Sequence, residues 1–168
     1  MRPRILVAGI GNIFHGDDAF GVRIAQMLAE RGTPGHVRVL DIGIRAIDLA
    51  FALLEPYDLV ILIDAVQRGG QPGTVYTIQI EPADIPDPCN EGVVVNSHSL
   101  DPVRVLALAK SMGAQLGPIL LVGCEPDILD RSDTGRIGLS ETVEASVKLA
   151  IDTVENLLHQ LPDHAVTQ

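Results

Sequence analysis

Aromatic side chains are scarce in this sequence: three Phe, two Tyr and no Trp make up 3% of 168 residues. Proteins that read single-stranded RNA or DNA stack bases on aromatic rings, so the composition argues against that class. Positive charge is short as well. Twelve Lys and Arg against 22 Asp and Glu leave a formal charge of −10, a field that repels phosphodiester backbones and anionic membranes. Such a surface suits a basic peptide, a metal-bearing partner, or solubility alone. The two cysteines, Cys89 and Cys124, make neither a disulfide framework nor a C-x-x-C knuckle, so reduced thiols are the simplest reading. No apolar run approaches the ~18 residues of a membrane span. The run that follows Met1-Arg2-Pro3-Arg4 is broken by Gly9 and Gly11 too early for a signal peptide. These absences predict a cytoplasmic protein with no nucleic-acid and no membrane partner. A Gly-x-Ser-x-Gly elbow and a Walker loop are also missing, and Phe14 stands where a dinucleotide fingerprint needs its third glycine.

What is present is a hydrophobic content of 46% built from Val, Leu, Ile and Ala, enough for the core of one domain over 1–161 with a polar tail over 162–168. Apolar runs over 5–8, 37–40, 59–63 and 119–122 read as strands. The run at 59–63 is apolar throughout, as in a strand covered on both faces. Residues 74–80 alternate like a strand. The Gly69-Gly70-Gln71-Pro72-Gly73 turn before them is too short for a crossover helix, so this strand is expected to run antiparallel at an edge. Helical spacing joins Phe20, Ile24, Met27 and Leu28 up to Gly32 and Pro34, and residues 46–54 form a short helix before Pro56. Val103, Leu106 and Ala107 continue as a helix capped by Asp101 or Ser99, with Pro102 in its first turn. Val143, Val147, Ala150, Ile151, Val154 and Leu158 predict one long closing helix. Residues 81–97 and 125–139 read as irregular loops. The alternation predicts an α/β fold: a three-layer α/β/α sandwich around a mostly parallel five-stranded sheet with one antiparallel strand.

Ligands of such sheets sit beyond the carboxyl ends of the strands, which gathers Asn12 to Asp18, Asp41, Asp64 and Cys124-Glu125. Two adjacent carboxylates at a helix start would compete with a phosphate for the same anion site, so a phosphate loop is not expected there. Asp18, Asp64 and His98 at one sheet edge would make a three-ligand site for a borderline divalent cation. Blander readings stand beside this one. Asp17 reads chiefly as a helix N-cap, and Asp18 could be a first-turn carboxylate favoured by the helix dipole. Asp41 and Asp64 could bond loop amides, and His98 could be a plain loop histidine. His15, His36, His159 and His164 read as surface residues. Cys89 shows no histidine partner, and Cys124 reads as a small core residue.

At Gly9-Ile10-Gly11-Asn12 and Gly16-Asp17-Asp18-Ala19-Phe20-Gly21 the chain resembles the nickel-iron hydrogenase maturation endopeptidases. Asp64 in Ile63-Asp64-Ala65 matches the aspartate that closes the family's third strand, and His98 matches the histidine after the long loop. The resemblance implies removal of a short C-terminal extension from a hydrogenase large-subunit precursor after nickel insertion. It implies that Asp18, Asp64 and His98 recognise nickel carried by the substrate, with no permanent metal cofactor. A carboxylate beside such a metal could activate water, and Asp18 is the first choice for that catalytic role. Many members carry an Asp-Gly-Gly-Thr-like turn linked to substrate selection; here it reads Asp41-Ile42-Gly43-Ile44-Arg45, which makes Asp41, Gly43 and Arg45 the expected substrate-binding residues. A non-catalytic nickel-sensing chaperone of the precursor is the alternative. No heptad seam is visible, and a monomer is expected.

Overall fold

The protein is described here by a computed structural model, which covers residues 2–86, 101–127, 129 and 135–160. Five strands, β1 (Ile5–Ile10), β2 (Val37–Gly43), β3 (Leu59–Ala65), β4 (Val75–Ile80) and β5 (Ile119–Cys124), form one sheet in the order β2-β1-β3-β5-β4. All neighbours are parallel except β4, which runs antiparallel to β5 at the edge. The short β3–β4 connection dictates this: with no crossover helix the chain must return in the opposite direction.

Alternation within the central strands splits the core into two layers. Leu6, Ala8 and Ile10 of β1 and Val60 and Leu62 of β3 face one side, against α2 (Ala46–Ala52) and α3 (Pro102–Ser111). Ile5 and Val7, with Ile61 and Ile63, face the other side. There they meet α1 (Phe20–Arg31), α4 (Glu141–Glu144) and α5 (Val147–Gln160). Both faces of β1 and β3 are dry, which explains their unbroken apolar runs. The three-layer α/β/α sandwich follows. As expected, Asp101 caps α3, its side chain accepting from the Val103 amide at 3.0 Å, with Pro102 in the first turn.

Two expectations are corrected. The closing helix is not continuous: α4 ends at Glu144 and α5 begins at Val147. At the junction the Ser146 hydroxyl donates to the Gly73 carbonyl at 2.6 Å and its amide bonds Val143 O at 3.0 Å, so the β3–β4 turn docks where the helix tightens. The second correction concerns the start of α1. Residues Gly16–Ala19 form a 3-10 turn ahead of the helix, and Asp17 is no cap of α1.

Chain order sets the location of the site. From β1 the chain passes through α1 to β2 on one side, and α2 then carries it back to β3 on the other. The sheet therefore switches direction between β1 and β3, and a crevice opens above their carboxyl ends.

Candidate functional site

Glycines allow the acidic turn to reach that crevice. A Cβ on Gly21 would overlap the carbonyl oxygens of Ile63 and Ile10, and one on Gly9 would overlap the Gly21 carbonyl. The first turn of α1 thus lies directly on the ends of β1 and β3, closer than any side chain permits. Gly11 adopts φ +135°, and a Cβ there would strike the Asp18 backbone. This spacing of glycines brings the 3-10 turn, and Asp18 with it, down onto the sheet edge.

Asn12 organises the loop between. Its side-chain oxygen accepts from the Phe14 amide at 3.0 Å, its carbonyl accepts from His15 N at 3.1 Å, and its own amide donates to Asp18 Oδ2 at 2.8 Å. Asp18 is half-buried and fixed by that bond. Asp64, the penultimate residue of β3, is only 7% exposed, and its Oδ1 accepts from the Ala65 amide at 2.9 Å. Its carboxyl is raised well above the ordinary carboxylate value, first by burial and then by the negative charge of Asp18. Asp101 adds a smaller push from the start of α3, and the Ala65 amide opposes it. The buried Asp64 carboxyl and the half-buried Asp18 thus disfavour each other's charge at the sheet edge.

His98 and Cys89 lie outside the described residues, as does His164. Among the described residues no three His, Cys, Asp or Glu side chains form a metal-holding group, so Asp18 and Asp64 are the two members of the expected trio that can be placed. His15, expected on the surface, is half-buried and bridges in a parallel β-bridge to Arg136.

The β2–α2 turn sits alongside. The Gly11 amide donates to Gly43 O at 3.0 Å, tying this turn to the first loop. Asp41 Oδ2 accepts from Gln26 Nε2 at 2.9 Å, and Arg45 folds back to donate to the Asp41 carbonyl and, through Nε, to Asp48 at 2.9 Å. Ile42, the bulky departure from the expected turn, points into the core at 2% exposure. Asp41, Gly43 and Arg45 line a cavity of about 280 Å³ that begins at Gly11 and Asn12, beside Asp18.

Two carboxylates carry more structure than the sequence disclosed. Asp17 is fully buried and accepts from the Ser140 amide at 2.6 Å, the Ser140 hydroxyl at 3.0 Å and the Asp127 amide at 2.9 Å. It fastens the acidic turn to the loops that follow β5. Glu125 accepts from the amides of Arg68 at 2.9 Å and Gly69 at 3.2 Å and from the Tyr76 hydroxyl at 3.0 Å, clamping the loop that leaves Asp64. Burial pushes the Glu125 carboxyl up, but the bonds from Arg68, Tyr76, Gly70 and Gly69 together hold it below the usual range. Its place just beyond the end of β5 was the sequence signal for Glu125; for this role of Asp17, whose partners lie more than a hundred residues away, there was none. Cys124 is buried as expected. Burial, and then Asp17 and Glu125, push its thiol up to about 11, which makes it a core residue and no nucleophile.

A profile of the hydrogenase maturation proteases (HycI) matches residues 22–157. The hydrogenase 2 maturation protease of Escherichia coli K12 is 32% identical over 152 residues, covering 90% of this chain and 88% of that protein. The hydrogenase expression/formation protein HupD of Rhodobacter capsulatus is 36% identical over 124 residues, covering 73% of this chain and 57% of that one. Among solved structures, the hydrogenase maturating endopeptidase HybD from Escherichia coli superposes with a TM-score of 0.72 at 30% identity, covering 94% of this chain and 93% of that one.

Proposed function

The chain belongs to the hydrogenase maturation protease family, and from that premise we propose that it cleaves the C-terminal extension from a nickel-iron hydrogenase large-subunit precursor once nickel is in place. Nickel enters with the substrate. Asp18, Asp64 and His98 contact it, two carboxylates and an imidazole being a donor set suited to a borderline divalent cation. The observation that carries this reading is Asp64 buried at the end of β3, with the charge of Asp18 near enough to raise its carboxyl. A divalent cation between them replaces repulsion by attraction and draws the Asp64 proton off. A nickel-free precursor supplies no such neutralisation, so productive docking is coupled to metal loading.

Asp18 serves as the general base. Held at Oδ2 by the Asn12 amide, it takes a proton from water as the water oxygen bonds to the scissile carbonyl carbon. The C–N bond then breaks, and the departing amine carries the proton away. Asp41, Gly43 and Arg45 bind the precursor beside the metal. The reaction belongs in the cytoplasm, and the enzyme acts as a monomer. Among the described residues no helix is long and apolar enough to cross a membrane.

The test is incubation with nickel-loaded and nickel-free precursor, followed by mass spectrometry of the precursor's C-terminus. Cleavage of the loaded form alone is expected, with a loss of about 100-fold or more for Asp18→Ala. Equal processing of both forms, or a wild-type rate for the variant, refutes the mechanism. Tight binding with an intact tail would identify a chaperone instead.

A further inference from the structure

The first loop and α2 expose six large apolar side chains: Ile13, Phe14, Ile44, Ile47, Phe51 and Leu54, each 40–57% accessible. Ile47, Phe51 and Leu54 are spaced four and three residues apart, so they align along one face of α2 and its C-terminal turn. Two cavities run beside this stripe. One, of about 280 Å³, is lined by Ile13, Phe14 and Ile44; the other, of about 390 Å³, by Phe51 and Glu55. Asp41 and Arg45 line both, so the two cavities adjoin, one reaching Asn12, beside Asp18, and the other reaching Phe51 of α2.

The charges around these cavities cancel locally. Arg45 pairs with Asp48 at 2.9 Å, while Arg4 and Arg38 both pair with Glu55 at 2.7 Å. On a chain of net charge −10 this face sets exposed apolar side chains among charges that neutralise one another, the character of a protein-docking surface. We propose that the Ile13–Leu54 stripe is the surface on which the body of the precursor docks, with its metal end at Asp18 and Asp64. This rests on the reading of the carboxylate site given above. Continuity with that site selects the occupant. Six half-exposed side chains offer on the order of 500 Å², short of the ~800 Å² per partner of a stable pair. A second copy held by the stripe alone falls short, whereas a precursor that also engages the carboxylates and the Asp41–Arg45 turn gains the remainder.

The experiment measures binding of nickel-loaded precursor to immobilised full-length protein by biolayer interferometry, with cleavage followed separately. Phe51→Glu and Ile47→Glu are expected to weaken binding at least tenfold and raise KM to match. Leu149→Glu, on the exposed face of α5, serves as the control and is expected to bind as wild type. Thermal midpoints within ~2 °C of wild type establish that each variant is folded. Unchanged binding by both α2 variants overturns the proposal, as does absence of binding by the wild type. So does a wild-type dimer in light scattering that Phe51→Glu dissolves, since the stripe then belongs to a second copy. Binding that depends on Phe51 without any cleavage supports the docking surface while refuting the peptidase reading.

Discussion

Replacing Asp17 tests whether a buried carboxylate that takes no part in the proposed chemistry holds the site together. The side chain is fully buried and accepts hydrogen bonds from two backbone amides and one hydroxyl, contributed by residues 127 and 140. Hydrogen bonds to a charged group contribute about 1.5–3 kcal/mol each, but part of that is offset by the cost of burying the carboxylate. Removing the acceptor leaves the Ser140 and Asp127 amides without a partner, and breaking a buried charged cluster in this way costs about 3–5 kcal/mol. For a chain of this size each kcal/mol lowers the melting temperature by about 2–4 °C, so Asp17→Ala should melt roughly 6–20 °C below wild type. Asp17→Asn keeps one acceptor oxygen but turns an amide donor toward other donors, and should lose about half as much. Ser140→Ala removes one bond to Asp17 and the cap on Val143 N at 3.3 Å, together about 2 kcal/mol. Since Asp17 and Ser140 share a bond, the double variant should lose less than the sum of the two. Calorimetry at pH 7 gives all four values. An Asp17→Ala midpoint within ~3 °C of wild type, or strict additivity with Ser140→Ala, would refute the reasoning.

Gly21→Ala places a methyl against the Ile63 and Ile10 carbonyls; α1 must lift off the sheet, at a cost of about 3 kcal/mol or more, with Asp18 displaced from Asp64. Urea unfolding and precursor cleavage should both fall, and a variant with wild-type stability removes the close-approach argument. For Asp64 the folded carboxyl lies above its unfolded value. The stability it contributes is therefore complete below the unfolded value near ~3.9 and is lost as pH rises through the raised folded value. Asp64→Asn should gain stability over the metal-free wild type as pH climbs from acid to neutral. Urea midpoints of the two proteins across that range check it, and a difference running the other way contradicts the burial of a charge beside Asp18.

Much of the fold could be read from residue order. The apolar runs at β1 and β3 required cover on both faces, the Gly69–Gly73 turn required β4 to reverse, and Asp101-Pro102 announced the start of α3. The helix break at Ser146 could not be foreseen, because what meets the chain there is the Gly73 carbonyl, 73 residues away. Asp17 shows the same limit. Local pattern presents it as a cap, while its partners come from residues 127 and 140.

Local chemistry is contained in the sequence: hydrophobic period, turn residues, the glycine spacing and the paired carboxylates, since each depends on neighbours a few residues apart. By itself it determined the layer architecture, the acidic character and the two aspartates worth following. Only the tertiary structure decided what Asp17 does, bonding the loops at residues 127 and 140 where the sequence offered a cap, and that the exposed apolar residues of the first loop and α2 lie beside adjoining cavities. Burial, repulsion and surface continuity are properties of groups far apart in the chain, and they exist only once the chain is folded.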